Sequence, residues 1–514
     1  KNILIDCGME QGNDVYENQE LPVPASDVDY VLLTHAHIDH SGLIPLLYVN
    51  GFRGKVYTTE PTVQLCEIML KDSAHIQMFE AEWRNRKAKR SNGTLKEFVP
   101  LYDMDAAVNV CKQFVGCEYD RVYDIAEGIK IRFTDVGHLL GSASIEVWAT
   151  EKTENGDVTE KIVFSGDIGN INKPIIKDPK HVRDADYVVM ESTYGNRSHG
   201  GTPNYVEDLT DIFKRTFERG GNVVIPSFAV GRTQELLYII RKIKEDNLVG
   251  RDFDVYMDSP LAIEATNIFI KNVESCFDDE AVELVRKGIN PLSFPGLKYA
   301  TTGDESKQIN FDPNPKVIIS SSGMCEAGRI RHHLKHNLWR PECTIVFVGY
   351  QAVGTTGRII VDGAEEIKLF GEPIQIKAEI VQLKGSSGHA DKDGLLCWIN
   401  AFDTKPKKVF VVHGEDSVCD EFTECLKEEY GYDAMAPYTG GSYDLIADRV
   451  ISEGVKERKT RRTTSTQRGK TVFDRLVAAG KRLMTVITHN EGGTNKDLAK
   501  FTDQINALCD KWSR

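Results

Sequence analysis

Apolar residues in this chain gather into short runs separated by longer stretches with helical spacing. The runs Tyr30–Leu33, Lys161–Phe164, Tyr187–Met190, Asn222–Ile225, Val317–Ile319, Thr344–Val348 and Lys408–Val412 are too short for helices and rich in β-formers, so they predict buried strands. Stretches such as Tyr205–Arg219 and Thr233–Glu245 have helical spacing, and the alternation predicts α/β layers. Two small-residue loops, Ser227 to Arg232 and Ser320 to Met324, follow apolar strands, the position at which open α/β sheets bind ligands. No run of about 18 uncharged apolar residues occurs, so no transmembrane helix and no membrane partner is expected.

At roughly 150 residues per domain, 514 residues imply two to four domains. The chain opens at Lys1, directly before the strand-like Ile3-Leu4-Ile5, which reads as a trimmed start with no visible targeting segment. Eleven cysteines without a CxxC pair argue against a disulfide framework and for a reducing, cytoplasmic setting. A net charge of −14 disfavours a phosphate-backbone ligand without excluding one, because metal ions and local basic patches can outweigh the global sum. After Leu445 the character changes. Residues 456–470 carry seven Lys or Arg among Thr, Ser and Gln, and Thr471 to Trp512 has amphipathic helical spacing. This extension could be an RNA-contacting arm, a dimerisation element that would make a homodimer, or a helical brace. The basic run could equally be a solvated charge run.

The chemistry concentrates at Thr34-His35-Ala36-His37-Ile38-Asp39-His40, immediately after a predicted strand. Imidazole nitrogens and carboxylate oxygens are zinc donors, and four fall within six residues. His35 and His37 can share one ion while Asp39 and His40, one turn on, reach a second. One segment cannot fill two coordination shells. His138, Asp167 and His413 are the further candidates: each follows a strand-like run and has a glycine beside it, although each alone would be an ordinary loop residue. Asp167 has two oxygens and could bridge two metals. Asp6 reads as a residue that orients a ligand through a hydrogen bond. Two metals about 3.5–4 Å apart suit phosphoester hydrolysis, with a bridging hydroxide as nucleophile.

These motifs resemble the β-CASP branch of the metallo-β-lactamase superfamily, in particular its RNA-processing members related to the cleavage subunit of the mRNA 3′-end processing factor. The likeness covers about residues 1 to 447 and rests on Asp6, the His35–His40 segment, His138 and Asp167, with Glu191, His389 and His413 at three further motif positions. It implies an α/β fold: a metallo-β-lactamase αββα sandwich at 1–195 and 383–447, an inserted α/β β-CASP domain at 196–382, and an extension at 448–514. It implies two Zn2+ ions, one held by His35, His37, His138 and Asp167, the other by Asp39, His40, Asp167 and His413. Asp39, Glu191 and His389 are the residues it implies for catalysis, with His389 a non-ligand general acid oriented by Glu191.

A zinc-dependent ribonuclease acting on single-stranded RNA is therefore the expected function. The alternatives are a small-molecule hydrolase of the same superfamily, a DNA nuclease of the family, or a binding scaffold with a decayed site. Decay removes ligands, and none is missing. Small-molecule members need neither the insert nor His389. In this family a histidine at the His413 position accompanies RNA and a valine accompanies DNA. Expected RNA contacts are Ser227, Arg232, Ser321, Ser322, Gly323, Arg329, His332 and His333, although Arg232 could instead pair with Glu235 and the basic stretch at 328–336 could be a solvated helix face. Endonuclease and 5′→3′ exonuclease action are not separable at this level.

Overall fold

The structure is a computed structural model describing residues 1–9, 21, 23–90, 98–154, 156–198, 200, 204–383, 387–456, 472–491 and 494–512. The expected basic linker lies outside the described residues apart from Lys456.

Two sheets face each other in the first layer pair. A four-stranded parallel sheet contains Ile3–Ile5, Tyr30–Leu32, Lys55–Thr59 and Phe114–Cys117, in that order. The seven-stranded sheet runs Ala434–Met435, Lys408–Val412, Tyr187–Glu191, Gly156–Phe164, Ala143–Thr153, Ile129–Asp135 and Tyr123–Ala126. Between them lies an apolar layer of Leu32, Ile131, Phe133, Ile145 and Val147. Helices cover the outer faces. Leu395, Trp398, Phe422 and Leu426 pack on Val188, Met190, Val409 and Val411 on one side, and Leu65 and Leu70 pack near Val31 and Val56 on the other. This is the αββα arrangement.

The third sheet is wholly parallel and six-stranded, in the order Leu297–Tyr299, Asp254–Asp258, Lys316–Ser320, Val223–Pro226, Thr344–Phe347, Glu379–Gln382. Its three central strands, Lys316–Ser320, Val223–Pro226 and Thr344–Phe347, are buried on both faces, as parallel sheets under helices require. Val223, Ile225, Val317 and Ile319 point to one core, whereas Val224, Ile318, Ile345 and Phe347 point to the other. The first of those cores continues without a break into the helices over the four-stranded sheet. Backbone bonds reinforce the junction, from Lys177 N–H to the Cys276 carbonyl (3.1 Å) and from Asp278 N–H to the Ile175 carbonyl (2.7 Å). The insert is thereby fixed against the sandwich, with its strand C-termini towards the ends of the sandwich strands that carry the histidines.

The helical reading of the C-terminal stretch corresponds to two helices, Val472–His489 and Asn495–Trp512. No described helix is long and apolar enough to cross a membrane.

Candidate metal centre

Strand ends bring the donors together. Tyr30–Leu32 delivers His35, and His37 begins the short helix Ile38–Ser41 that turns Asp39 and His40 inward. His138 follows Ile129–Asp135, Asp167 follows Gly156–Phe164, and His413 follows Lys408–Val412. The packing here admits no side chain at Gly8, whose Cβ would sit 1.4 Å from the Asp39 carbonyl oxygen.

The donor atoms fall into two groups sharing one carboxylate. His35 Nε2 and His37 Nδ1 are 3.0 Å apart, and His37 Nδ1 and His138 Nε2 are 3.2 Å apart. Asp167 Oδ2 lies 3.4 Å from His35 Nε2 and 3.5 Å from His138 Nε2. Its other oxygen, Oδ1, lies 3.2 Å from both His40 Nε2 and His413 Nε2. Asp39, His40 and His413 form the second group. Four donors about 2.0–2.1 Å from a tetrahedral zinc are about 3.3 Å from one another, which is the spacing of the first group. Both His40 Nε2 and Asp167 Oδ1 are buried without a hydrogen-bond partner. Such atoms are costly unless something satisfies them, and a cation does so. The residues present fit a metal centre.

The surroundings set the ligand form of three of the rings. His40 Nδ1 donates to Asp6 Oδ2 (2.7 Å), leaving Nε2 for metal. The Thr34 hydroxyl donates to Asp6 Oδ2 (2.9 Å) and stands 3.0 Å from His35 Nδ1, so it accepts that proton and leaves His35 Nε2 as the donor atom. His138 Nδ1 gives its proton to the Gly388 carbonyl at 3.2 Å, with the same result. Asp6 thus orients two of the rings, one directly and one through Thr34. Burial, reinforced by the neighbouring His35, pushes His37 down to about 3. Burial and the adjacent His389 hold His138 well below the usual histidine range. Neutral imidazole is the form that binds metal.

Beside this centre stands a third group, in which Glu191 and His389 gather with Asp167 close enough to offer donor atoms of their own. Glu191, at the end of Tyr187–Glu191, is buried and accepts the Ile168 N–H at 2.5 Å. His389 Nδ1 reaches its two oxygens at 3.2 and 3.3 Å. The loop carrying His389 is pinned by the Ala390 N–H on the Ile168 carbonyl (2.7 Å), one residue from Asp167. Burial opposes protonation of His389, but the Glu191 carboxylate and then Asp167 outweigh it, and the ring is raised to about 9. A protonated imidazole held by a carboxylate is a group built to give up a proton.

The expected RNA contacts divide. His333 is fully buried, with Nε2 on Asp258 Oδ2 (2.6 Å) and Nδ1 on Asn310 (3.0 Å), so both ring nitrogens are engaged within the protein. Ser227 is likewise buried and accepts from Thr233. Arg329 is spent on Asp258 (2.7 Å) and on the Ala300 and Thr301 carbonyls, so it braces the loop before the helix Ile330–Asn337. Arg232 pairs with Glu235. Ser321 and Ser322 bond within the loop region, to Ser259 and to the Ala327 carbonyl, and Gly323 lies against the Phe228 ring. His332 is exposed and stacks on Phe370 with centroids 4.4 Å apart. Thr34 and Lys173 were not anticipated. Lys173 Nζ donates to the His138 carbonyl (3.2 Å) while pairing with Glu235 (3.1 Å). Thr34 sits beside His35 in sequence, a signal that could have been read; Lys173 gave none.

Comparison with known proteins matches three stretches of the chain. Residues 1–51 match the metallo-beta-lactamase superfamily, 233–360 the Beta-Casp domain, and 373–437 a Zn-dependent metallo-hydrolase RNA specificity domain. A ribonuclease of Thermus thermophilus is 35% identical over 417 residues, covering 81% of this chain and 88% of that protein. The chain belongs to the β-CASP family of metallo-β-lactamase-fold proteins. Its relatives include the transcription termination factor FttA of Methanosarcina mazei, 33% identical over 448 residues, covering 84% of this chain and 66% of that factor. An RNase J-like protein of Methanocaldococcus jannaschii is 31% identical over 418 residues, covering 80% of the chain and 87% of that protein. As a β-CASP protein the chain is a metal-dependent hydrolase by family, and its His/Asp groups are the candidate metal site.

Proposed function

We propose that this chain is a zinc-dependent ribonuclease that hydrolyses phosphodiester bonds in single-stranded RNA. Its first zinc would be held by His35, His37, His138 and Asp167, and its second by Asp39, His40, His413 and the other oxygen of Asp167. The observation that carries the reading is the pair Glu191–His389: a buried carboxylate 3.2 Å from an imidazole beside the two His/Asp donor groups, which we read as an acid rather than a ligand. Small-molecule hydrolysis with a good leaving group has no need of it. A ribose hydroxyl is a poor leaving group and gains from an acid.

Zinc, when bound, supplies Lewis-acid activation of water and neutralises charge on the phosphoryl oxygens. The chain supplies the rest. His389 keeps Nδ1 on Glu191 and carries on Nε2 the proton for the departing ribose oxygen. Glu191 is itself held by the Ile168 and Thr193 amides, so the imidazole stays aimed as it loses its charge. Asp6 and Thr34 keep His40 and His35 in their ligand tautomers throughout. The histidine at position 413 and the match to an RNA specificity domain over 373–437 support RNA over DNA, and eleven cysteines, all free, support a cytoplasmic setting.

The test is a long single-stranded RNA labelled at both ends and internally, incubated with and without chelator. Chelator-sensitive cleavage is expected; internal fragments identify an endonuclease and released mononucleotides an exonuclease. Cleavage that ignores the chelator, or none, rejects the proposal.

A further inference from the structure

Two aromatic side chains stand exposed at the edge of the insert sheet that faces the metal centre. The strands Val223–Pro226 and Thr344–Phe347 are parallel neighbours, with Val223 paired to Thr344, so the loops that follow them leave the same edge. Phe228 lies in the first loop and Tyr350 in the second, and they are 48% and 52% exposed. A ring left half in solvent gives up much of the roughly 2–3 kcal/mol that burial would return. Two rings on adjacent loops at one sheet edge form an unfilled apolar surface.

A chain of contacts ties this surface to the donor cluster. A Cβ on Gly231 would lie 3.1 Å from Leu139 Cδ1, and Leu139 follows His138. Phe228 is three residues before Gly231, so their Cα atoms are at most about 11 Å apart. A Cβ on Gly323 would lie 3.0 Å from Phe228 Cδ2, and Gln351 donates from Nε2 to the Gly323 carbonyl at 3.1 Å. Tyr350 is next to Gln351. From the candidate ligand His138 the path therefore runs through Leu139 and Gly231, three residues along the chain to Phe228, and on through Gly323 and Gln351 to its neighbour Tyr350. Ser321 and Ser322, the polar side chains in between, are engaged within the protein, with Ser259 and with the Ala327 carbonyl. Aromatic faces, rather than paired donors and acceptors, are what the edge presents.

We propose that Phe228 and Tyr350 form a nucleobase-stacking platform, which takes unpaired bases of the RNA strand adjacent to the phosphate at the metal centre. The platform rests on the ribonuclease reading above. Its occupant follows from its continuity with the site: the polymer cleaved there carries a π-face on every residue. Stacking is tolerant of base identity, because all four bases present such a face. It also selects against duplex, whose bases are already stacked on one another. The platform thus supplies strand-state selectivity without sequence selectivity.

The test measures equilibrium binding of a fluorescent single-stranded oligoribonucleotide to the full chain carrying His389→Ala, which blocks turnover. Phe228→Leu and Tyr350→Leu are compared in that background. Each is expected to weaken binding roughly 5- to 30-fold, at the lower part of the range for removing one base–aromatic stack. The decisive arm scans abasic sites along the oligonucleotide. At one position per ring, the unsubstituted platform should lose affinity on base removal, whereas the leucine variant should lose no more. Unchanged affinity in both variants, or additive losses from ring and base at every position, overturns the platform. If the wild-type chain cleaves RNA in a chelator-sensitive manner while the platform test fails, the ribonuclease reading stands alone. If the wild-type chain neither binds nor cleaves RNA, both fall.

Discussion

Replacing Glu235 by alanine would remove a carboxylate that lies between two mostly buried cations at the junction of sandwich and insert. Lys173 Nζ lies 3.1 Å from one of its oxygens and Arg232 Nη1 2.5 Å from the other. All three side chains are mostly buried, at 12%, 16% and 9% exposure for Lys173, Arg232 and Glu235. Without Glu235 the cations face each other across at most about 8 Å, which at an effective dielectric near 20 costs about 2 kcal/mol. Each also keeps its desolvation cost with a hydrogen-bond partner lost, so the total falls in the range of about 3–5 kcal/mol found on breaking a buried pair. Urea unfolding of wild type and Glu235→Ala measures the loss. Adding Lys173→Met to the alanine variant removes one of the opposed cations and should restore about 2 kcal/mol. A loss below about 1 kcal/mol, or no recovery in the double variant, refutes the reasoning. The pH dependence has a defined sign. Burial opposes ionisation of Glu235, but Arg232 and then Lys173 outweigh it and lower its pKa. A carboxylate with a depressed folded pKa stabilises fully above its unfolded value, about 4.3, and loses that contribution as pH falls through the folded value. The difference between wild type and variant should therefore hold at neutral pH and shrink only below about pH 4.3.

Three further outcomes are expected. His389→Ala should lower RNA cleavage by about 10²–10⁴, the range for a general acid, with metal content by atomic emission unchanged; loss of metal would contradict its placement outside the donor set. Asp167→Ala should lose metal and cleavage together, since one carboxylate faces both donor groups; retention of both metals would count against the shared role. Asp258→Ala strands His333 Nε2, Ser306 Oγ and Arg329 Nη1, all within 2.7 Å of it now, and should cost about 3–5 kcal/mol in calorimetric stability, whereas Glu283→Ala, on an exposed ion pair with Lys287, should leave the melting temperature unchanged.

The parts of this molecule that were legible in its sequence are those whose signal is local. His35, His37, Asp39 and His40 are adjacent, so one strand end presents them all. The buried strands of the insert are apolar on both faces and stand out as runs. Other features depend on partners far along the chain. Glu191 and His389 are 198 residues apart and meet only because Gly169 and His389 bridge two loops; resemblance supplied that pairing, not spacing. His333 and Arg329 lie in a basic run that reads the same whether it is solvated or spent on a buried Asp258, which is 75 and 71 residues away. The hairpin Ala143–Thr153 and Gly156–Phe164 is longer than the run Lys161–Phe164 because its outer half is exposed and polar, and its inner half holds two buried charges, Glu146 and Lys161. Glu146 takes Arg132 at 2.7 Å, Lys161 at 2.8 Å and Thr134 at 2.8 Å, and no periodicity rule foresees a satisfied charge in a core.

The central claim is that His389 donates a proton to a ribose oxygen leaving from the metal centre. The most direct measurement compares wild type and His389→Ala on RNA containing one bridging sulfur at the cleaved linkage, with 3′-S and 5′-S substrates tested in turn. A thiolate leaves without protonation, so one of the two sulfur linkages should restore the variant to within a few-fold of wild type, while ordinary RNA stays about 10²–10⁴ slower. An equal defect on ordinary RNA and on both sulfur linkages would contradict it.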